Sequence, residues 1–542
     1  MFDLKIINGM IADGTGEKMF RADIGITDER IVEIGDLHDR QSGKTIDAAG
    51  KIVAPGFIDM HTHSDLSVIY DRHAPSKVHD GVTTEVIGNC GIGVAPVKTD
   101  KKQMLIDYLG TRMIGTIPVK LELPWQTCAE YFDFVETQAP AVNVVPLLAH
   151  GAIRIAAMGF DKRKPTAAEL AEMKDYIRQA MAEGTVGMSS GLIYLPGEYA
   201  DTEELIELCK TVAECGGIYT THIRNENEGV FEALEEALTI GEKSQAPVHI
   251  SHLKLNSPQV GGRADELLAR IEKANRDGHE TTFDVYPYTA GFTSLSSALP
   301  PWVFEGGVEK MMARIQDPVM REKVIGDMKA GSPGRKLYSL ENRIWNRIVV
   351  ATVMREESRH IEGMSIQEIA AERGYDDPYA LVLDLLIEED GRVLIVHHTM
   401  SEADLQKILC HPASIVISDA MGLSTEGLLS YGKPHPRTFG TRARVFAKYV
   451  KELGVLSYEE AVKKMTYLPA KRLGLKQRGQ LAEGFFADIV VINPETVQDM
   501  ATYENPKQYS IGFDQVIVNG RLVLDGERQL EAYPGKVIRK EQ

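Results

Sequence analysis

Eight short apolar runs, rich in β-branched residues, divide the middle of this 542-residue chain, and their succession limits its fold more than any other feature. They are GFIDMHTH, VTTEVIGNC (82–90), AVNVVPLLAH (141–150), TVGMSSGL (185–192), GIYTTHIR (217–224), PVHISHL (247–253), ETTFDVYPY (280–288) and ASIVISDA (413–420). Such near-continuous runs fit parallel strands buried on both faces. Stretches of helical period separate several of them. TAAELAEMKDYIRQAMAEG opens with Thr166 and Glu169 at capping-box spacing and closes on Gly184. DTEELIELCKTVAECGG and GVFEALEEALTIGEKSQ behave likewise. Strand–helix alternation with eight such strands predicts an α/β fold, a TIM-type (β/α)8 barrel. RIVVATV (347–353) and VLIVHH (393–398) are two strands more than that barrel needs. Residues from about 290 to 345, containing SALPPWVFEGG and GSPGRK, read as an insertion after the seventh strand.

The ends of the chain have a different rhythm. DLKIINGMIAD, ADIGITDERIVEIG and KTIDAAGKIVAPG alternate strands with turns, and GFFADIVVINPE and DQVIVNGRLVLDGE repeat the pattern near the C-terminus. Asn8-Gly9 and Asn519-Gly520 both carry hairpin-turn chemistry. The expected organisation is a small β-sandwich domain built from residues 1–55 and 478–542, with the barrel over 56–477.

A net charge of −18 argues against a nucleic-acid or anionic-membrane partner. Apolar residues at 43% and charged residues at 25% are ordinary for a soluble protein, and no apolar stretch approaches the roughly 20 residues of a bilayer span. MFDLKIINGM lacks the features of a signal peptide. Cys90, Cys128, Cys209, Cys215 and Cys410 are scattered without zinc-finger spacing, which predicts a reducing, cytoplasmic setting. Nothing in the sequence indicates an oligomeric state.

Polar residues interrupt the apolar runs at one repeated place. His61 and His63 follow the first strand, with Asp65 just beyond; Cys90 ends the second. His222 ends GIYTTH, His252 ends PVHISH and Asp419 ends ASIVISD. Residues two apart on an extended chain point the same way, so His61 and His63 share a side. All strand C-termini of a parallel barrel open on one face, where catalytic sites lie. Imidazole, thiolate and carboxylate converging there are the donors expected for one or two catalytic divalent ions. Any one of these residues alone has an ordinary structural explanation. Six at the same end of successive strands do not.

APGFIDMHTHSD, GVTTEVIGNCGIGVAP, TTHIRNE, HISHLK and SDA, in this order, closely resemble the amidohydrolase superfamily, and within it the D-aminoacylases, or N-acyl-D-amino-acid deacylases. The resemblance covers nearly the whole chain, including GQLAEGFFADIVVINP. GNCG is its most specific part, because this subgroup uses a cysteine where most members bridge metals with a carboxylated lysine or a glutamate. The resemblance implies one tight Zn2+ site from Cys90, His222 and His252, and a second, weaker site from His61 and His63. It makes Asp419 the acid–base residue, and Lys254 and Arg437 the groups that hold the substrate carboxylate. Tyr286 or Tyr288 is a further substrate contact. Two positions depart from the pattern: Ala420 stands where Gly follows the catalytic Asp, and Leu253 where a second histidine is common.

The implied reaction is hydrolysis of a small-molecule N-acyl-D-amino acid by metal-activated water, with Asp419 as proton acceptor and then donor. A cyclic-amide hydrolase of the hydantoin or dihydropyrimidine type is the competing enzyme. An interaction scaffold that keeps the barrel without catalysis is the competing non-enzyme.

Overall fold

The computed structural model describes residues 1–112, 121–331 and 345–540. The eight expected strands form two parallel arcs. Phe57–Asp59, Val82–Ile87 and Asn143–Pro146 make one; Leu148–Ala149, Gly187–Gly191, Ile218–His222, Val248–Ile250, Thr281–Val285 and Ser414–Val416 make the other. The third run spans both arcs, stepping at Leu147, whose N–H donates to the Ile87 carbonyl at 3.0 Å. At the opposite seam, Thr62 and Ala420 form a parallel bridge, and Asp419 N donates to His61 O at 2.9 Å.

Helices cover the outside of the arcs. Ala167–Glu183 begins with the full Thr166–Glu169 capping box and ends at Gly184 in the left-handed region, as its sequence predicts. Val230–Ser244 buries Val230, Leu234, Ala237 and Gly241, spaced three and four residues apart, which turns one stripe onto the strands.

Neither surplus strand enters the parallel arcs. Ile348–Thr352 and Leu394–His398 pair antiparallel with each other, and Ala290–Ser294 completes their three-stranded sheet. SALPPWVFEGG becomes short helical turns, whereas GSPGRK lies, apart from Gly331, outside the described residues.

The terminal segments build a four-stranded and a seven-stranded sheet. In the seven-stranded sheet, Ile489–Ile492 runs between Ile52–Pro55 and Phe513–Val518. Its side chains alternate: Ile489 and Val491 join the core shared with Leu4, Ile24 and Ile26, while Val490 and Ile492 join the large core under the helices. One sheet thus seals two cores, as a period-two strand allows.

The two Asn-Gly pairs diverge. Val518 opposes Arg521 across Asn519-Gly520, a two-residue hairpin with both central φ positive, 46° and 74°. Asn8-Gly9 makes no hairpin: Phe2–Ile7 lies in the four-stranded sheet and Met10–Ile11 in the seven-stranded one. Asn8 still adopts a positive φ of 65°, but its side chain bonds Asp47 and its N–H bonds Asp23, so the chain crosses between sheets. A Cβ on Gly9 would lie 2.5 Å from Val53 Cγ2, so the close approach itself demands glycine.

Candidate metal centre and active site

The strand ends carry their polar residues to one place. Cys90 Sγ lies 3.2 Å from His61 Nε2, 3.5 Å from His252 Nε2 and 3.7 Å from His222 Nδ1. Zn–S near 2.3 Å and Zn–N near 2.0–2.1 Å in a tetrahedron require S···N separations of about 3.5 Å. Three overlapping groups keep their donor atoms within 4.8 Å of one another: His61, His63 and Cys90; Cys90, His222 and His252; His61, His252 and Asp419. The donor set fits zinc.

Local backbone makes this possible. Cys90 sits at φ 54° between Gly88 (φ 79°) and Gly91 (φ 67°). A Cβ on Gly88 would fall 2.2 Å from Leu147 O, and one on Gly91 2.8 Å from Gly191 N. GNCG is therefore a tight turn that presses the cysteine under neighbouring strand ends.

Electrostatics favour the ionised forms of the thiol and the carboxyl group. Burial alone would raise the Cys90 pKa, but His61 and His252, with the hydrogen bond from His222, outweigh it and hold the thiol well below its usual value. Burial would likewise raise Asp419; Arg437, His252 and His61 overcome it and keep this carboxylate ionised. Asp419 Oδ1 approaches His63 Nε2 at 3.2 Å and His61 Nε2 at 3.5 Å, while Oδ2 lies 2.8 Å from Arg437 Nη1. Arg437 is buried, and its Nε has no hydrogen-bond acceptor. Asp65 is buried beyond the two histidines, and its pKa is pushed up to about 7 by desolvation.

The centre opens into a cavity of about 680 Å³ lined by His63, His222, His252, Lys254, Asp419 and Arg437, among others. Tyr286 lines it too, beneath the Arg437 guanidinium, 4.6 Å from carbon to ring centroid. Tyr288 points elsewhere: its ring meets Arg444 and His435, and it lines none of this cavity. His397, from the antiparallel sheet, also faces the cavity; burial and Lys254 push its pKa down to about 3, so it is neutral.

Sequence reasoning missed the carboxylates behind these candidate ligands. Glu226 Oε1 reaches His252 Nδ1 at 3.0 Å and pairs with Lys254 Nζ at 2.5 Å, while its Oε2 lies 3.6 Å from His222 Nε2. Asp284 Oδ2 lies 3.2 Å from His61 Nδ1 and 2.9 Å from His249 Nε2, and Oδ1 accepts the His252 backbone N–H. Such partners fix the tautomer and aim of a ligating imidazole. Asp284 interrupts an apolar strand, and that was its available signal. Glu226 stands four residues after His222 in a polar loop and gave none.

The amidohydrolase family profile matches residues 44–324 and 432–524. The chain belongs to the amidohydrolase family. Among its relatives in that family, a D-aminoacylase of Alcaligenes xylosoxydans xylosoxydans is 35% identical over 99% of this chain and 97% of that protein. An N-acyl-D-glutamate deacylase of the same organism is 34% identical over 99% and 97%. The N-acyl-D-glutamate deacylase of Bordetella bronchiseptica, solved with zinc and a phosphonate mimic of the tetrahedral intermediate, superposes with a TM-score of 0.82 at 33% identity, covering 99% of both chains. This amidohydrolase therefore shares its fold and full length with deacylases.

Proposed function

We propose that this amidohydrolase cleaves the amide bond of N-acyl-D-amino acids, releasing a carboxylic acid and a free D-amino acid. Arg437 carries the reading. A buried guanidinium whose Nε has no acceptor, beside a candidate metal-binding cluster and with Nη1 2.8 Å from Asp419, suits an α-carboxylate held next to a proton-transfer group. The D-configuration and the N-acyl group come from the relatives, which are deacylases of D-amino acids.

Cys90, His222 and His252 would hold one zinc ion, and His61 with His63 a second, weaker one. When bound, zinc polarises the amide carbonyl and lowers the pKa of water. Arg437 and Lys254 orient the substrate by its carboxylate, and Tyr286 packs beneath that arginine. Asp419, ionised and accepting from His63, takes the proton from attacking water and passes it to the departing nitrogen. An amine leaves only when protonated, so one carboxylate serving both steps suffices. Glu226 and Asp284 keep three imidazoles aimed while this happens. All five cysteines are unpaired, which supports a reducing, cytoplasmic setting.

The test is amine release from paired N-acetyl-D- and N-acetyl-L-amino acids by zinc-loaded protein. The expected result is D-selective release that Asp419→Asn lowers by about 10³-fold or more at unchanged zinc content. Release from the L series alone, or an undiminished variant, would overturn the reading. Hydantoin opening without deacylation would favour the cyclic-amide alternative.

A further inference from the structure

We infer that the site selects N-acyl-D-amino acids with uncharged, apolar side chains and discriminates against acidic ones; the inference rests on the deacylase reading above. The full-length relatives include both a D-aminoacylase and a D-glutamate deacylase at nearly equal identity, so likeness alone does not separate the two. The cavity does.

A substrate's side chain leaves the same carbon as its carboxylate, so it must lie against whatever surrounds Arg437. Part of that surface comes from the three-stranded antiparallel sheet. Phe292 stands 5.9 Å from the Arg437 guanidinium carbon, and Leu394 lines the cavity from the adjoining strand. Leu423 and Ile92 add apolar surface to the same cavity.

The charges lining the cavity point the same way. Among the described residues, its arginine and lysine side chains are Arg224, Lys254 and Arg437. Arg224 is consumed by a bidentate pair with Glu236 at 2.8 and 2.9 Å and by the carbonyls of Glu198 and Ala200. Lys254 is paired with Glu226, and with Arg437 it is needed for the α-carboxylate. Glu198 and Glu232 add two further carboxylates to the lining. A second substrate carboxylate would lose its hydration beside those carboxylates, and among the described residues no lining Arg or Lys stands uncommitted to receive it. An apolar side chain gives up no such hydration.

Zinc-loaded protein should be assayed with N-acetyl-D-leucine, N-acetyl-D-phenylalanine, N-acetyl-D-glutamate and N-acetyl-D-aspartate. We expect kcat/KM at least 100-fold higher for the apolar pair. Replacing both outlying carboxylates, Glu198→Gln with Glu232→Gln, should raise kcat/KM for N-acetyl-D-glutamate at least fivefold relative to N-acetyl-D-leucine. Glutamate or aspartate turned over as well as leucine by the unmodified protein would overturn the inference while leaving deacylation intact. Absence of hydrolysis across the panel would overturn the deacylase reading instead. In that case calorimetric binding of the same compounds decides selectivity: tighter N-acetyl-D-leucine supports it, and equal or tighter N-acetyl-D-glutamate defeats it.

Discussion

Cys90, His252 and Asp419 share a backbone habit as well as a cavity: their φ angles are 54°, 35° and 50°. A non-glycine residue held in the left-handed region costs roughly 1–3 kcal/mol, and such strain collects at functional sites. Each is restrained by a specific bond or neighbour. Glycines flank Cys90, Asp284 accepts the His252 N–H, and the His61 carbonyl accepts the Asp419 N–H. Asp284 also faces His61 Nδ1, leaving Nε2 turned to the cysteine. Asp284→Asn should therefore weaken metal binding about 10- to 100-fold, the usual loss for a carboxylate behind a ligating histidine. Zinc titration of the apoprotein reads this directly. Unchanged affinity would mean that Asp284 only fills space.

At the scale of elements, a buried ionic cluster ties the ends of the first and eighth strands together. Asp59 Oδ1 accepts from Ser418 N at 3.0 Å and faces Arg442 Nη2 at 2.8 Å, while Oδ2 accepts from Lys77 Nζ at 3.0 Å. Lys77 Nζ also donates to Ser418 Oγ at 2.8 Å and to the Ala420 carbonyl at 3.0 Å. Burial opposes the Asp59 charge, but Arg442 and Lys77 outweigh it and hold the carboxyl well below the usual range. The residues on either side of Asp419 are thus anchored by Lys77. Lys77→Met leaves Asp59 with one cation fewer in a dry interior, and about 3–5 kcal/mol of stability should be lost. Urea denaturation measures that loss. Because the turn around Asp419 loosens, kcat should fall more than KM rises in whatever protein remains folded.

For the whole molecule, the seven-stranded sheet is the critical part. Val490 and Ile492 complete the large core and Ile489 and Val491 the sandwich core, so neither side is finished without the C-terminal strand. Asn519 reinforces the join by donating from Nδ2 to Asn143 Oδ1 on the third barrel strand at 2.8 Å. A chain ending at residue 477 should lose the cooperative thermal transition of the full protein and expose apolar surface to a hydrophobic dye. A sharp transition in that truncation would show a barrel that folds alone.

Patterns local to the chain carried a great deal. Runs of buried residues, the Thr166 capping box and the Asn519-Gly520 turn depend on neighbours a few positions away, so the strand sequence, the helices and the polar residues at each strand end were legible in the letters. Asn8-Gly9 shows where that reading stops, because the same dipeptide takes its positive φ while partners from other strands decide which sheet follows. Only the tertiary structure placed the surplus strands in a separate antiparallel sheet, turned Tyr286 rather than Tyr288 into the cavity, and set Glu226 and Asp284 behind the histidines. Each of those outcomes is a contact between residues far apart in sequence, chosen by which surfaces and charges must be covered together, and no short stretch of chain contains that information.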